Sequence, residues 1–289
     1  MIARMCLIWF VFYLISAIFI EDSCKNFLQT FKLGSSNEII MLIIEVTGIK
    51  GGAGRSTISA LLALSLAKKG VDVMLLDLDP LGWSSYLMEV RGEGLLPSIL
   101  SSNTGDPWTD IKLEGQTIRV IKMLGNGSKL NDGLYAIFSD PKKRESFEHV
   151  MVSAIQERFG IIIADSSIQI AEGSSILFDK IREIIKEPVH VRKIFVTDMN
   201  RLDVDSTLNA IKSEKSEILG TVINMVPPIP SFFELAETYA YLFKGIVTVV
   251  PFIESLFNAS SVTLSLVPPQ IQELANYVFK PIPDFMLIM

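Results

Sequence analysis

From Met41 onward, short continuous apolar runs alternate with amphipathic stretches. The runs are 42–46 (LIIEV), 71–76 (VDVMLL), 118–124 (IRVIKML), 160–165 (GIIIAD), 193–197 (KIFVT), 218–224 (ILGTVIN) and 245–250 (GIVTVV). They are rich in Val and Ile and apolar throughout rather than at every second position. A strand covered on one face alternates; a strand covered on both does not, so these runs predict a parallel sheet sandwiched by helices. Between them, Ile58, Leu61, Leu62 and Leu66 recur at helical spacing, and Lys68-Lys69-Gly70 supplies a positive last turn and a glycine stop. Ser231 and Glu234 read as a capping box for a helix over 232–243, and further helices are predicted over 145–158, 173–187, 202–213 and 269–279. Strands alternating with helices give an α/β class: a doubly wound, mostly parallel sheet of about seven strands flanked by helices. The stretch 91–116, with Gly92, Gly94, Pro97, Gly105, Pro107 and Gly115, breaks the rhythm and reads as a surface insertion or a mobile loop.

The first forty residues follow another pattern. Residues 5–20 carry no charge, yet they fall short of the roughly 20 residues a membrane-crossing helix needs. Arg4 before the run and Glu21-Asp22 after it would place the rest of the chain outside the cell under the positive-inside rule. The glycine-rich motif of the rest of the chain belongs to chemistry inside the cell, so orientation and chemistry conflict. Met41, which opens a complete first strand, removes the conflict: residues 1–40 read as a mis-assigned start, ahead of a short anchor or a signal peptide, and residues 41–289 as a single domain. The expected location is the cytoplasm, with membrane contact through residues 5–20 as the alternative.

Composition narrows the classes. Hydrophobic residues make up 49% and charged residues 20%, too apolar for a disordered chain. The net charge of −6 argues against a surface that is basic all over. The two cysteines, Cys6 and Cys24, cannot build a disulfide framework or a four-cysteine zinc site, and both precede Met41.

The chemistry concentrates at TGIKGGAGRST, residues 47–57, between the first strand and the first helix. Gly51, Gly52 and Gly54 let the backbone wrap and present N–H groups to an anion at a helix N-terminus. A cation at Arg55 reaches terminal phosphates, and the Ser56 hydroxyl is placed to hold Mg²⁺, with Thr57 beside it. A glycine-rich turn alone is weak; its place at the strand-to-helix joint, with cation and hydroxyls in register, makes it specific.

This loop resembles the deviant Walker A motif of the ParA/MinD family of ATPases, K-G-G-x-G-K-[ST]-[ST], through Lys50, Gly51, Gly52, Ala53, Gly54, Ser56 and Thr57. The resemblance implies a P-loop ATPase with ATP and Mg²⁺ as cofactors. It makes Lys50 the lysine that reaches across an ATP-dependent homodimer to the partner's phosphates. At position 55 the family has lysine and this chain has Arg55, whose planar fork meets phosphate oxygens differently from a point ammonium. By the same resemblance Asp77-Leu78-Asp79-Pro80 matches the D-x-D-P switch: Asp79 orients the attacking water and Asp77 lies near the metal. Leu81 and Trp83 stand where Gln and Asn are usual. Ile161 to Asp165 matches a Walker B strand whose Asp165 holds Mg²⁺ through water, with Ser166-Ser167 in place of the usual proline-containing segment. Asn224 falls on the adenine reader and Pro251-Phe252 on the loop that covers the base. Taken singly, Asp77 and Asp79 also read as helix caps and Asn224 as a turn residue.

The resemblance leaves the cargo open. ParA-like members bind DNA non-specifically and work with an activator or adaptor protein, but from Ser216 to the end the chain has only Lys244 and Lys280 as basic residues. The clusters Lys142-Lys143-Arg144 and Arg192-Lys193 read as solvated faces. MinD-like members bind membranes through a basic amphipathic tail; here the tail FKPIPDFMLIM holds two prolines and one lysine. Three expectations stand in order: an ATP-hydrolysing dimer switch for DNA partitioning or cargo positioning, a nucleotide-binding scaffold slowed by Arg55, and a membrane-associated positioning regulator.

Overall fold

A computed structural model describes residues 41–289 apart from 104, 126, 128, 157–158, 167–170 and 187, so the readings of residues 1–40, of Ser167 and of Arg158 lie outside the described residues. In chain order β1 (Met41–Thr47), α1 (Arg55–Lys68), β2 (Val73–Asp77), α2 (Trp83–Leu87) and α3 (Leu95–Leu100) come first. They lead to β3 (Thr109–Leu113), β4 (Gln116–Lys122), α4 (Leu130–Phe138), α5 (Pro141–Gln156), β5 (Ile161–Asp165) and α6 (Ala171–Ile185). The second half holds β6 (Val189–Thr197), α7 (Arg201–Ser213), β7 (Glu217–Val226) and α8 (Pro230–Ala240). It closes with β8 (Gly245–Pro251), α9 (Glu254–Phe257), α10 (Pro269–Leu274) and β9 (Phe285–Ile288).

The strands form one sheet in the order β3-β4-β2-β5-β1-β6-β7-β8-β9. All neighbours are parallel except the β3–β4 hairpin. β1 sits at the centre, the chain winding away from it through β5 and β2 on one side and β6 and β7 on the other. Ligands of such sheets bind at the strand C-termini where the winding reverses, which here is the end of β1.

Every residue of β1, β2 and β5 is buried, the reason their sequences do not alternate. Successive side chains leave opposite faces. Leu42, Ile44 and Val46 join a core with Leu61, Leu62 and Leu66 of α1 and Ile271 of α10. Met41 and Ile43 join Leu134 of α4, Phe147 of α5 and Leu177 of α6. Val204 of α7 and Ala236 of α8 cover the β7–β8 end of that second face.

Where about seven strands were expected, the sheet has nine among the described residues. β3 and β9 are edge strands with one neighbour each; β3 is mixed in sequence, and β9 is apolar but only four residues long. β3 and α3 lie in 91–116, which is therefore not a loop throughout. The apolar tail becomes β9, parallel to β8 from Gly245↔Phe285 to Thr248↔Ile288.

Helix ends also shift. α1 ends as expected, with Lys69 as its C-cap and Gly70 at φ +85°. The capping box does not form: α8 starts at Pro230, so Ser231 lies within the first turn, and no side chain caps the helix. Arg192-Lys193 is not a solvated face. Lys193 Nζ pairs with buried Glu45 at 3.0 Å and with Glu214 at 2.7 Å, and Arg192 Nε pairs with Glu217 at 2.7 Å.

Candidate functional site

The loop after β1 is shaped by backbone sterics. Gly52 and Gly54 take φ +84° and +91°, values that side chains oppose, and Ile58 N–H donates to the Gly54 carbonyl at 2.9 Å to open α1. Helix α1 has no acidic residue in its first turn, so the N–H groups there face the loop without a competing charge. Gly51, Gly52, Gly54, Ser56, Asp79 and Asn224 line part of a cavity of about 500 Å³. The far wall is apolar, with Trp83, Leu87, Val250, Phe252, Leu256 and Phe257.

The two cations of the loop are both held by this chain's own groups. Arg55 Nη1 donates to the Lys50 carbonyl at 2.6 Å and the Gly48 carbonyl at 3.3 Å, while its buried Nε has no partner. The guanidinium thus braces the loop from inside. Lys50 Nζ bonds Asp198 Oδ2 at 2.8 Å and Asp203 Oδ2 at 2.9 Å, at the junction of β6 and α7. These hydrogen bonds raise the Lys50 pKa above its ordinary value.

The acidic residues divide by burial. Asp77 is fully buried at the end of β2, its Oδ1 accepting from Asp79 N at 3.0 Å and Oδ2 from Ser85 N at 2.7 Å. Asp165 ends the adjacent β5 in register with it. Burial, and then the charge of Asp77, push the Asp165 carboxyl up to about 8, with the Ser56 hydroxyl working against the rise. Burial likewise raises Asp77. Asp165 Oδ2 is buried with no partner. Two buried carboxylates side by side, one with an orphaned oxygen and a hydroxyl facing it, are a hard-oxygen set suited to Mg²⁺. Asp79 is different: its Oδ1 accepts from Leu81 N at 2.7 Å in a tight turn beside the cavity.

On the base side, the Asn224 amide is turned to the loop, Nδ2 donating to the Ala53 carbonyl at 2.9 Å. Pro251 and Phe252 line the cavity, and Phe252 lies 5.5 Å from the Phe257 ring. The structure therefore brings Gly51 to Thr57, Asp77, Asp79, Asp165, Asn224, Pro251 and Phe252 to one edge of the sheet. Sequence reading missed Asp198 and Asp203, which lie 148 and 153 residues beyond Lys50. It also missed the apolar wall supplied by Phe257. No local pattern marks any of them.

The profile of the CobQ/CobB/MinD/ParA nucleotide-binding domain matches residues 44–264. Among curated proteins, the chain is 29% identical over 188 residues to the cytosolic Fe-S cluster assembly factor Nubp2 homolog of Drosophila melanogaster, covering 63% of this chain and 68% of that one. It is 28% identical over 193 residues to Nubp2 homolog 2 of Drosophila yakuba, covering 65% and 70%. The fold is similar to that of the septum site-determining protein MinD of Pyrococcus horikoshii, solved with Mg-ADP: TM-score 0.56, 18% identity, 83% of this chain and 96% of that one. It is also similar to cobyrinic acid a,c-diamide synthase of Mycobacterium smegmatis, solved with ADP and magnesium: TM-score 0.57, 13% identity, 85% and 99%.

Proposed function

The chain belongs to the CobQ/CobB/MinD/ParA nucleotide-binding domain family, and from that premise we propose that it is an ATP-hydrolysing dimer switch that positions a cargo through a partner protein. The observation that carries this reading is the meeting, at the end of β1, of a phosphate-cradling loop, the exposed Lys50 and the buried Asp77–Asp165 pair. Mg-ADP in the similar MinD structure supports ATP and Mg²⁺ as the ligands. Bound Mg²⁺ would neutralise phosphate oxygens during transfer. Ser56, Asp77 and Asp165 would hold it. The loop amides and Arg55 bind the phosphates, Asp79 leaves its turn with Leu81 to align water, and the apolar wall shelters the base. Lys50 crosses to the second copy once Asp198 and Asp203 release it. The cytoplasm, where ATP is supplied, is the compartment we assign.

In the ParA form of this reading the cargo is DNA. The resemblance to Fe-S assembly factors favours a second form, in which the cargo is a metal cluster. Clusters are held by cysteine thiolates, and the only cysteines, Cys6 and Cys24, precede the domain. A cluster carried on residues 41–289 themselves is therefore not part of the proposal.

The test is ATP turnover and sedimentation of the purified chain beside Lys50→Ala and Arg55→Lys. Lys50→Ala should abolish the ATP-dependent dimer and reduce turnover to background. Arg55→Lys should raise turnover about tenfold, since an ammonium gives up the fork that braces the Lys50 and Gly48 carbonyls. A wild-type chain that binds ATP without dimerising or hydrolysing it would leave the scaffold reading in its place.

A smaller effect follows from the Lys50 clamp. Asp203→Asn removes one of its two charges, so the ATP dimer should form at about threefold lower protein concentration, in line with the modest strength of exposed ion pairs. Dimerisation that is unchanged or weaker would show that Asp203 does not restrain Lys50.

A further inference from the structure

Asn224 joins the phosphate loop to a strand distant in sequence. Its Nδ2 donates to the Ala53 carbonyl at 2.9 Å in a buried contact spanning 171 residues. A Cβ added at Gly54 would lie 2.2 Å from the same Nδ2, so the amide packs directly on the backbone where α1 begins. The main chain around Asn224 is irregular in a way that accompanies this placement. Met225 takes φ +57°, and the pairing of β7 with β8 breaks register between Ile223 and Val226. A left-handed non-glycine residue at a strand end costs about 1 kcal/mol or more and persists where its surroundings hold it.

We propose that Asn224 is a positioning residue for the phosphate loop, holding Ala53 and Gly54 in the anion-cradling conformation before any nucleotide arrives. The inference rests on the phosphate-loop reading above and is distinct from the base-reading role that the resemblance assigns to this residue. Donation to Ala53 uses one of the amide's two N–H groups and leaves the oxygen and the other N–H, so the hold on the loop is a role separate from any contact with a base. The base-side wall is Pro251, Phe252 and Phe257, which hold a ring by contact rather than by hydrogen-bond pattern. Loss of the Ala53 contact then acts on the phosphates whatever base they carry.

The experiment compares equilibrium binding of ATP, GTP and inorganic tripolyphosphate, each with Mg²⁺, to the full chain and to Asn224→Ala and Asn224→Ser. The expected result is that all three ligands weaken by the same factor, about 10-fold, with the ATP-to-GTP ratio unchanged. Weaker ATP binding with tripolyphosphate binding intact would overturn the proposal and make Asn224 a base reader. A wild-type chain that binds none of the three would instead overturn the phosphate-loop reading, a different result. Hydrogen exchange at the Asn224 side-chain amide of the unaltered protein decides the matter even if the variants do not fold. Protection without nucleotide is expected, and free exchange would overturn the proposal.

Discussion

Asp165→Ala is expected to remove Mg²⁺-dependent ATP turnover, by a hundredfold or on that order, and at the same time to make the nucleotide-free protein more stable. The two effects share one cause. Without a cation, Asp165 is a fully buried carboxyl with an oxygen that has no partner, facing Asp77 across the β2–β5 register pair. Leaving such a group buried costs about 1–3 kcal/mol, which alanine relieves. The pH dependence follows from the direction of the shift. The unfolded carboxyl titrates near 3.8 and the folded one near 8, so the folded state binds the extra proton between those values. Stability from this group is full below about 4 and declines as pH rises toward 8. Thermal unfolding across that range should show a steeper decline in the wild type than in Asp165→Ala, where the buried Asp77 still contributes. A variant less stable than wild type at pH 8, or one with unchanged turnover, would remove Asp165 from the metal set.

Arg119→Ala is expected to be the most destabilising single change considered for this domain, at about 3–5 kcal/mol. Arg119 is 1% exposed. Its Nε and Nη2 donate to the two Asp110 carboxylate oxygens, at 2.8 and 2.7 Å, and Nη1 donates to the Ala154 carbonyl at 2.9 Å. The guanidinium also lies 4.4 Å from the Trp108 ring and 5.0 Å from that of Phe159. One side chain thus ties the antiparallel edge hairpin to α5 and to the start of β5. In a domain of this size the loss should lower Tm by roughly 10 °C. Replacing both charges, as in Arg119→Met with Asp110→Leu, should recover most of it, because no uncompensated charge is left behind. A single Arg119→Ala within a degree or two of wild type would show the pair to be unimportant. The pH signature is opposite to that of Asp165. Its bonds to Arg119 hold the Asp110 carboxyl below 3.8, so the stability the pair adds is present above that value and is lost as pH falls through the lowered one.

The parts of the molecule legible in the sequence are those with a local cause. β1, β2 and β5 are covered on both faces, so Leu42 to Ile44, Val73 to Leu76 and Ile161 to Ile163 had to be apolar without a break, while the buried Glu45 is compensated by Lys193. Gly52 and Gly54 answer a backbone demand within their own loop, and Asp77 and Asp165 stand where their strands end. The elements that escaped are those whose burial is partial. β3 and β9 each pair on one side only; the mixed sequence of β3 resembles a loop, and β9 is a short apolar tail after two prolines with nothing local to mark it as a strand. α5 begins four residues before its expected start because the Asp140 side chain accepts from Lys142 N at 3.0 Å and sets the first turn.

The chain's sequence by itself determined that there is a phosphate loop, that it opens a helix after a buried strand, and that two carboxylates each stand at the end of an apolar run. Only the tertiary structure decided which partners those residues take. Lys50 meets Asp198 and Asp203 because β6 lies beside β1, and Asn224 meets Ala53 because the β7 end reaches the loop. Asp77 and Asp165 share a register pair because β2 and β5 are neighbours in the sheet though 88 residues apart by number. Backbone sterics and burial act on each residue where it stands and leave their mark on local composition. A contact across more than a hundred residues depends on strand order, which hydrophobic patterning does not specify.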